Sequence, residues 1–359
     1  MKKANLNLAV SLFFTFLFFT FLIVILKDFI QLIHEDGRAY WLSSDGATYL
    51  EHYYRISKME IPMLMWVQLA AVKTPILLLL LTGGTVWPML LLACATFFFS
   101  LYSCTKYLER KRLSFIVTIL LIPYVLFGFF AINKEIYLIS SVLFFMTYYK
   151  SQNKKYLLFC ILVLFLSRYY MLIVYMFCLV VFPVKKEKIR WNIILLSMLF
   201  ISAVAPIILK GGITGYSAGG LLEGAGAASS ISGELIRKYL YIFIYFPKYI
   251  LLILSRYWTA YTSGIFGEIR GNLLGLLVAI YTTILFIVAF KRKHYYKSYN
   301  FRFLMMTLLA PVPLMFNDIF HWRYYVFTMP MLAYYLNQQP YNLKSSIYIY
   351  IMSLIKRKR

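Results

Sequence analysis

Acidic and basic side chains that could do chemistry are concentrated in a few short polar stretches between long apolar runs. The first stretch is SSDGATYLEHYY, which contains Asp45, Glu51 and His52. A carboxylate or an imidazole can take a proton from a substrate hydroxyl, acting as a general base. If a helix begins near Gly46, Glu51 and His52 share a face with Thr48, which lies three and four residues earlier. We therefore predict Asp45, Glu51 and His52 as catalytic residues, with a turn and helix cap at Asp45 as the alternative.

Four further polar stretches carry ionisable residues that could bind a charged substrate. They are INKEIYL, LSRYY, SRYWTAYTSGIFGEIRGN and NDIFHWRYYVFTMP. Arginine presents a planar fork of N–H donors that matches phosphate oxygens, and a charge inside an apolar chain indicates function because its burial is costly. The predicted substrate-binding residues, for a diphosphate or a glycan, are Lys134, Glu135, Arg168, Arg256, Arg270, His321 and Arg323. The alternatives are a plain surface turn for Lys134–Glu135 and a side chain that reaches up to water as a membrane anchor for Arg168.

The composition indicates what positions these residues. The chain is 62% hydrophobic and 14% charged, whereas soluble domains are about 45–50% apolar and about 25% charged. Several apolar runs reach the roughly 20 residues that a helix needs to cross a bilayer. The sequence therefore predicts an all-α, polytopic transmembrane helical bundle with about 10 crossings. One of these crossings, the third, is predicted over the apolar run 113–131.

The charge pattern predicts the orientation of the bundle. The net charge of +24 comes from short basic clusters between apolar runs, such as KYLERKR, KSQNKK, VKKEKIR and KRKHYYK. Such clusters favour the cytoplasmic side of a membrane, so both termini are predicted there. This pattern excludes a nucleic-acid partner, which would require a soluble basic patch, and favours contact with membrane lipids.

The domain organisation follows from this orientation. Residues 1–359 are predicted to form a single integral membrane domain, with external regions at 27–86 and 210–271. Within them, the apolar stretch 61–84 is interpreted as an interfacial or re-entrant segment, and the stretch 239–255 as an interfacial one. Counting 61–84 as a crossing would place KYLERKR outside. A break in that stretch is indicated by Lys73, Pro75 and the pair Gly83–Gly84.

Taken together, these motifs resemble a known group of enzymes. DGATYL in the first external loop, a KE turn after the third crossing, an arginine at the next external turn and RYYVFTMPML near the end resemble GT-C-like membrane glycosyltransferases and bacterial O-antigen or capsular polysaccharide polymerases. The resemblance implies a polyprenyl-diphosphate-linked glycan as substrate, at the outer face of the bacterial cytoplasmic membrane. It implies a base or metal-site role for Asp45 and diphosphate binding by Arg168, with Arg256 or Arg323. GT-C enzymes often have two adjacent acids in the first loop, whereas glycine follows Asp45 here.

Cofactors and partners are expected to be few. No cofactor is predicted, and the residue spacing does not indicate a divalent metal site. Four cysteines lie within or at the ends of apolar runs and are predicted to be small buried side chains. A chain-length regulator or another membrane protein of polysaccharide assembly is the expected protein partner.

Two other functions are kept open. A lipid-linked oligosaccharide flippase would place charges along the middle of helices that line a path, in two related halves. A membrane O-acyltransferase would need a deeply placed histidine as base, and His321 is the candidate.

Overall fold

The computed structural model describes residues 2–36, 46–58, 73–108, 111–165, 167–168, 171–184, 189–210, 250, 254, 257, 272–291, 301–313 and 326–338. Within these ranges the chain is all-α, as predicted, and every regular element is a helix. The fourteen helices of these ranges are α1 (Lys2–Ile25), α2 (Lys27–Glu35), α3 (Gly46–Ser57), α4 (Lys73–Leu81), α5 (Trp87–Lys106), α6 (Arg112–Leu120), α7 (Pro123–Gly128), α8 (Glu135–Ser151), α9 (Lys154–Phe165), α10 (Leu172–Val181), α11 (Trp191–Lys210), α12 (Asn272–Lys291), α13 (Phe301–Leu309) and α14 (Thr328–Gln338).

Several helix ends lie where turn residues predict them. The helix expected after Asp45 is confirmed, since α3 begins at the next residue. The break expected at Gly83 and Gly84 is also confirmed. These glycines follow α4 with φ values of 63° and 83°, a left-handed conformation that glycine adopts without a steric cost.

The apolar run 113–131, predicted as one crossing, does not form one continuous helix. The run is divided into α6 and α7, because the backbone at Ile122 is extended and Pro123 starts a new helix. Proline lacks the N–H of a helical hydrogen bond and its ring clashes with the preceding turn. The chain therefore reaches residue 128 by two short helices rather than one long one.

Two helices in the described ranges are long and apolar enough to cross a membrane. They are Leu6–Ile25 in α1, with mean hydropathy 2.7, and the whole of α5, with mean hydropathy 1.6. Only 11% of the apolar segment of α1 is buried, whereas 61% of that of α5 is buried. Helix α1 therefore lies at the outside of the bundle. Shorter apolar helices occur at Leu172–Val181, Trp191–Val204 and Leu273–Ala289.

Helix α8 lies at the centre of the helical core. It packs against α5, α7, α9 and α14, and fourteen of its 17 residues are buried. A helix that is apolar on all sides is stable only when other elements surround it. Polar residues in the first turn of α8 are therefore carried into buried surroundings.

Helices α2 and α3 form a layer over the start of α5, which we call the α2–α3 layer. The side-chain carbonyl of Gln31 accepts a hydrogen bond from the backbone N–H of Val86 at 3.0 Å, which ties α2 to the start of α5. The ring of Tyr53 in α3 lies directly against Gly84. Helix α2 contacts both α3 and α5. Its His34 is hydrogen-bonded to the backbone of Ile132, so the layer lies over the end of the bundle where α8 begins.

Candidate functional site

The turn before α8 is polar and buried. Asn133, Lys134 and Glu135 are each 4% exposed. The side-chain carbonyl of Asn133 accepts a hydrogen bond from the backbone N–H of Glu135 at 2.8 Å. This is an Asx turn, in which a short polar side chain satisfies a backbone donor two residues on. The turn holds Lys134 and Glu135 at the N-terminus of α8.

A buried ion pair links this turn to a second one. Arg168 lies between α9 and α10, and its Nη2 atom donates a hydrogen bond to Oε1 of Glu135. The two side chains are 2% and 5% exposed. A buried charge is tolerated when a counter-charge is in contact, and a carboxylate in the first turn of a helix is also favoured by the helix dipole. An anchor that reaches up to water would need an exposed guanidinium, so the burial of Arg168 favours the site interpretation.

Lys134 connects the turn to the α2–α3 layer. Its Nζ atom lies 5.7 Å from the ring centroid of Tyr49, within the range of a cation–π contact. Tyr49 is completely buried. Lys134, Glu135 and Arg168 together carry a formal charge of +1, because two cations stand beside one acid. Counted over these three described residues, the cluster has one cation more than it has acids.

His34 holds the same turn from α2. Its Nδ1 atom donates a hydrogen bond to the carbonyl of Ile30 at 2.7 Å, and its Nε2 atom accepts one from the backbone N–H of Ile132 at 3.1 Å. The Nε2 atom can accept only when it carries no proton, so His34 is neutral in this arrangement. Burial lowers the pKa of His34, which favours the same neutral form.

The first turn of α8 is also tied to α5. The hydroxyl of Tyr137 donates a hydrogen bond to the carbonyl of Met89 at 3.4 Å. Tyr137 is two residues beyond Glu135, so this bond fixes the position of the helix directly after the ion pair. Three elements, α2, α3 and α5, thus hold the turn before α8 in place.

The structure brings some predicted site residues together and separates others. Lys134, Glu135 and Arg168 form one buried cluster. His52 is half-buried in α3, three residues after Tyr49 and therefore on a neighbouring part of the same face. Glu51 is exposed, and its position two residues after Tyr49 places it on the other side of α3. Five predicted residues lie outside the described ranges: Asp45, Arg256, Arg270, His321 and Arg323.

Sequence reasoning missed two members of this site. His34 and Tyr49 were not predicted as site residues, although both hold the turn before α8. The signal for His34 is its position next to Ile33 on the buried side of α2, a polar residue on an otherwise apolar face. No comparable local signal exists for Tyr49, because tyrosine is frequent in this chain.

Metal ligands are not gathered in the described ranges. There, no group of three or more His, Cys, Asp and Glu side chains could hold a metal ion. The prediction for the cysteines is confirmed, since Cys94, Cys104, Cys160 and Cys178 are buried and free. The expectation that no cofactor is needed stays a prediction.

Comparisons with known proteins add no relative. No protein-family model matches the chain, and no curated protein or solved structure matches it. The site is therefore interpreted from its own geometry.

Proposed function

We propose that this chain is a multi-pass membrane glycosyltransferase of the polysaccharide polymerase type. Its substrate is a polyprenyl-diphosphate-linked sugar at the outer face of the bacterial cytoplasmic membrane. The observation that carries the proposal is the buried cluster of Lys134, Glu135 and Arg168, which has a net positive charge. Buried cations are costly to maintain and often mark functional sites, and the stabilisation of an anionic leaving group is a function that they could serve here.

The membrane setting is supported by composition and by α1. Large apolar side chains are exposed along α1, for example Phe14 and Phe21 at 64% and 62%. Soluble proteins rarely expose contiguous apolar surface of this kind, whereas lipid covers it. We propose about 10 crossings with both termini in the cytoplasm, from the distribution of apolar runs and basic clusters.

The residues have separate roles in the proposed reaction. An acceptor hydroxyl attacks the anomeric carbon of the lipid-linked sugar, and the bond from that carbon to the diphosphate oxygen breaks. The lipid diphosphate leaves with the bonding electrons, and Arg168 and Lys134 stabilise its negative charge. Asp45, supported by Glu51 and His52, takes the proton of the hydroxyl. Glu135 orients the guanidinium of Arg168.

The placement of charged residues favours a transferase over a transporter. A flippase would carry ionisable groups in the middle of its long helices. In α1, α5, α11 and α12, the described helices of 20 residues or more, charged residues occur only in a terminal turn. The acyltransferase alternative depends on His321, which lies outside the described ranges.

Deletion of the gene in its native host tests the function. Accumulation of a single repeat unit on the lipid carrier is the expected result for a polymerase. A shortened unit would indicate a transferase that adds one sugar. Complete units retained on the cytoplasmic side would contradict both and indicate a flippase.

Labelling of introduced cysteines tests the membrane topology. Ser44→Cys and Gly224→Cys are expected to react with an impermeant maleimide from outside, since both lie in the predicted external regions. Lys111→Cys, Lys188→Cys and Lys293→Cys are expected to react only after the membrane is permeabilised. Reaction of Lys111→Cys in intact cells would mean that 61–84 spans the membrane.

A further inference from the structure

The side-chain amide of Asn133 has one end occupied and one end open. Its Oδ1 atom accepts the N–H of Glu135 at 2.8 Å, which fixes the amide plane. Its Nδ2 atom, buried with the rest of a side chain that is 4% exposed, has no hydrogen-bond partner among the described residues. Buried polar groups in native proteins are almost always paired, so an open buried donor indicates a missing acceptor.

The surroundings of this donor favour an acceptor with negative charge. Asn133 directly precedes Lys134, whose ammonium is buried beside Tyr49. It also stands at the N-terminus of α8, a helix of 17 residues whose dipole favours anions at this end. A neutral hydroxyl would gain little electrostatic stabilisation from the lysine or from the helix dipole. A negatively charged phosphoryl oxygen would be stabilised by both.

We infer that Asn133 is a substrate-binding residue whose Nδ2 atom donates a hydrogen bond to a phosphoryl oxygen of the lipid diphosphate, beside Lys134. The inference rests on the proposed function and assigns one part of its substrate to one side chain. The two ends of the amide then have different tasks. The carbonyl shapes the turn, and the amino group contacts the ligand.

This division of tasks makes one substitution especially informative. Asn133→Asp keeps the size of the side chain and an oxygen for the N–H of Glu135, so the turn is retained. It replaces the open donor by an acceptor, which repels a phosphoryl oxygen. Asn133→Ser also keeps an oxygen for the turn, but it removes the donor without adding charge.

A binding measurement on the full chain in lipid nanodiscs tests the inference. The ligand is geranylgeranyl diphosphate, and geranylgeraniol serves as the uncharged control. A charge-assisted hydrogen bond corresponds to roughly a 10- to 100-fold change in affinity. Asn133→Asp is expected to weaken binding of the diphosphate by about 100-fold, and Asn133→Ser by about 10-fold. Binding of the alcohol is expected to stay unchanged.

Unchanged binding of the diphosphate by Asn133→Asp would overturn the inference. A buried water on Nδ2 could turn and donate to the new carboxylate, so the variant would behave like the parent. If Asn133→Asp does not fold, Asn133→Ser decides by the same comparison. If the parent chain itself does not bind the diphosphate, the proposed substrate is wrong. If the parent binds it and Asn133→Asp binds it equally well, only the role of Asn133 is wrong.

Discussion

Arg168 and Glu135 are separated by 33 positions in the chain and form a buried ion pair between two turns. The pair joins the segment before α10 to the first turn of α8, a helix in which fourteen of 17 residues are buried. It places a permanently charged guanidinium against Glu135, the residue that directly follows the buried Asn133 and Lys134.

The ion pair is expected to contribute to stability through the cost of breaking it. Glu135→Gln removes the carboxylate and leaves the buried guanidinium of Arg168 without this counter-charge, which should cost about 3–5 kcal/mol. The double variant Glu135→Gln/Arg168→Met should be less destabilised than Glu135→Gln alone. Chemical unfolding of the purified chain in detergent measures both. Equal stability of Glu135→Gln and the parent would mean that the pair does not hold the two turns.

Arg168 is also expected to act in transfer. Arg168→Lys keeps a positive charge but loses the planar fork that binds oxygens in pairs. Glycan transfer should therefore fall strongly, while the amount of protein in the membrane stays normal. The measurement is product formation from a lipid-linked repeat unit in membrane vesicles. A variant as active as the parent would leave Arg168 with a structural role only.

His34 is expected to make stability depend on pH. Burial lowers its pKa below the ordinary value of about 6.5, so the unfolded chain takes up a proton at a higher pH than the folded chain does. The contribution of neutral His34 to the free energy of unfolding is then fully present above about pH 6.5. It is lost as the pH falls from there towards the lower pKa of the folded state. Unfolding midpoints of the parent and of His34→Gln between about pH 5 and 7.5 test this. His34→Gln keeps a donor and an acceptor without a titrating group, so its curve should be flatter, and parallel curves would contradict the prediction.

Gly84 and Gly83 offer a matched pair of substitutions. A Cβ on Gly84 would lie 2.6 Å from Cε1 of Tyr53, whereas a Cβ on Gly83 meets no atom within 4 Å. Both residues have positive φ, so each change to alanine costs about 1–2 kcal/mol of backbone strain. Gly84→Ala should cost more, because the Tyr53 ring must also move. Tyr53→Ala in the Gly84→Ala background should then recover part of the loss in unfolding free energy. Equal costs at the two glycines would show that the α2–α3 layer adapts freely.

Asp45 is expected to be the general base. Asp45→Asn keeps the size of the side chain and removes its charge, so glycan extension should fall by about 10²- to 10⁴-fold at a normal protein level. Glu51→Gln should have a smaller effect, since Glu51 is exposed and is proposed only to support Asp45. Extension assays in membrane vesicles compare the two. Full activity of Asp45→Asn would leave a helix cap as the role of this residue.

Part of the site could be predicted from local sequence alone. Lys134, Glu135 and Arg168 stand out because charged residues are rare in apolar surroundings, and each lies at a turn between apolar runs. The start of α3 and the break at the Gly83–Gly84 pair follow from turn residues in the same way. The interruption at Pro123 is equally local, because proline lacks the N–H that would continue the preceding helix.

The sequence by itself determined the helical class, the burial of the cysteines and the segments in which ionisable residues lie. These depend on composition and on the length of apolar runs, which are properties of neighbouring residues. Only the tertiary structure decided that Glu135 meets Arg168, that Lys134 lies over Tyr49 and that His34 holds Ile132, 98 positions away. The reason is physical: α8 is apolar on all sides, so its pattern specifies no preferred face. Its rotation, and hence the partners of its first turn, are set by packing against α5, α7, α9 and α14.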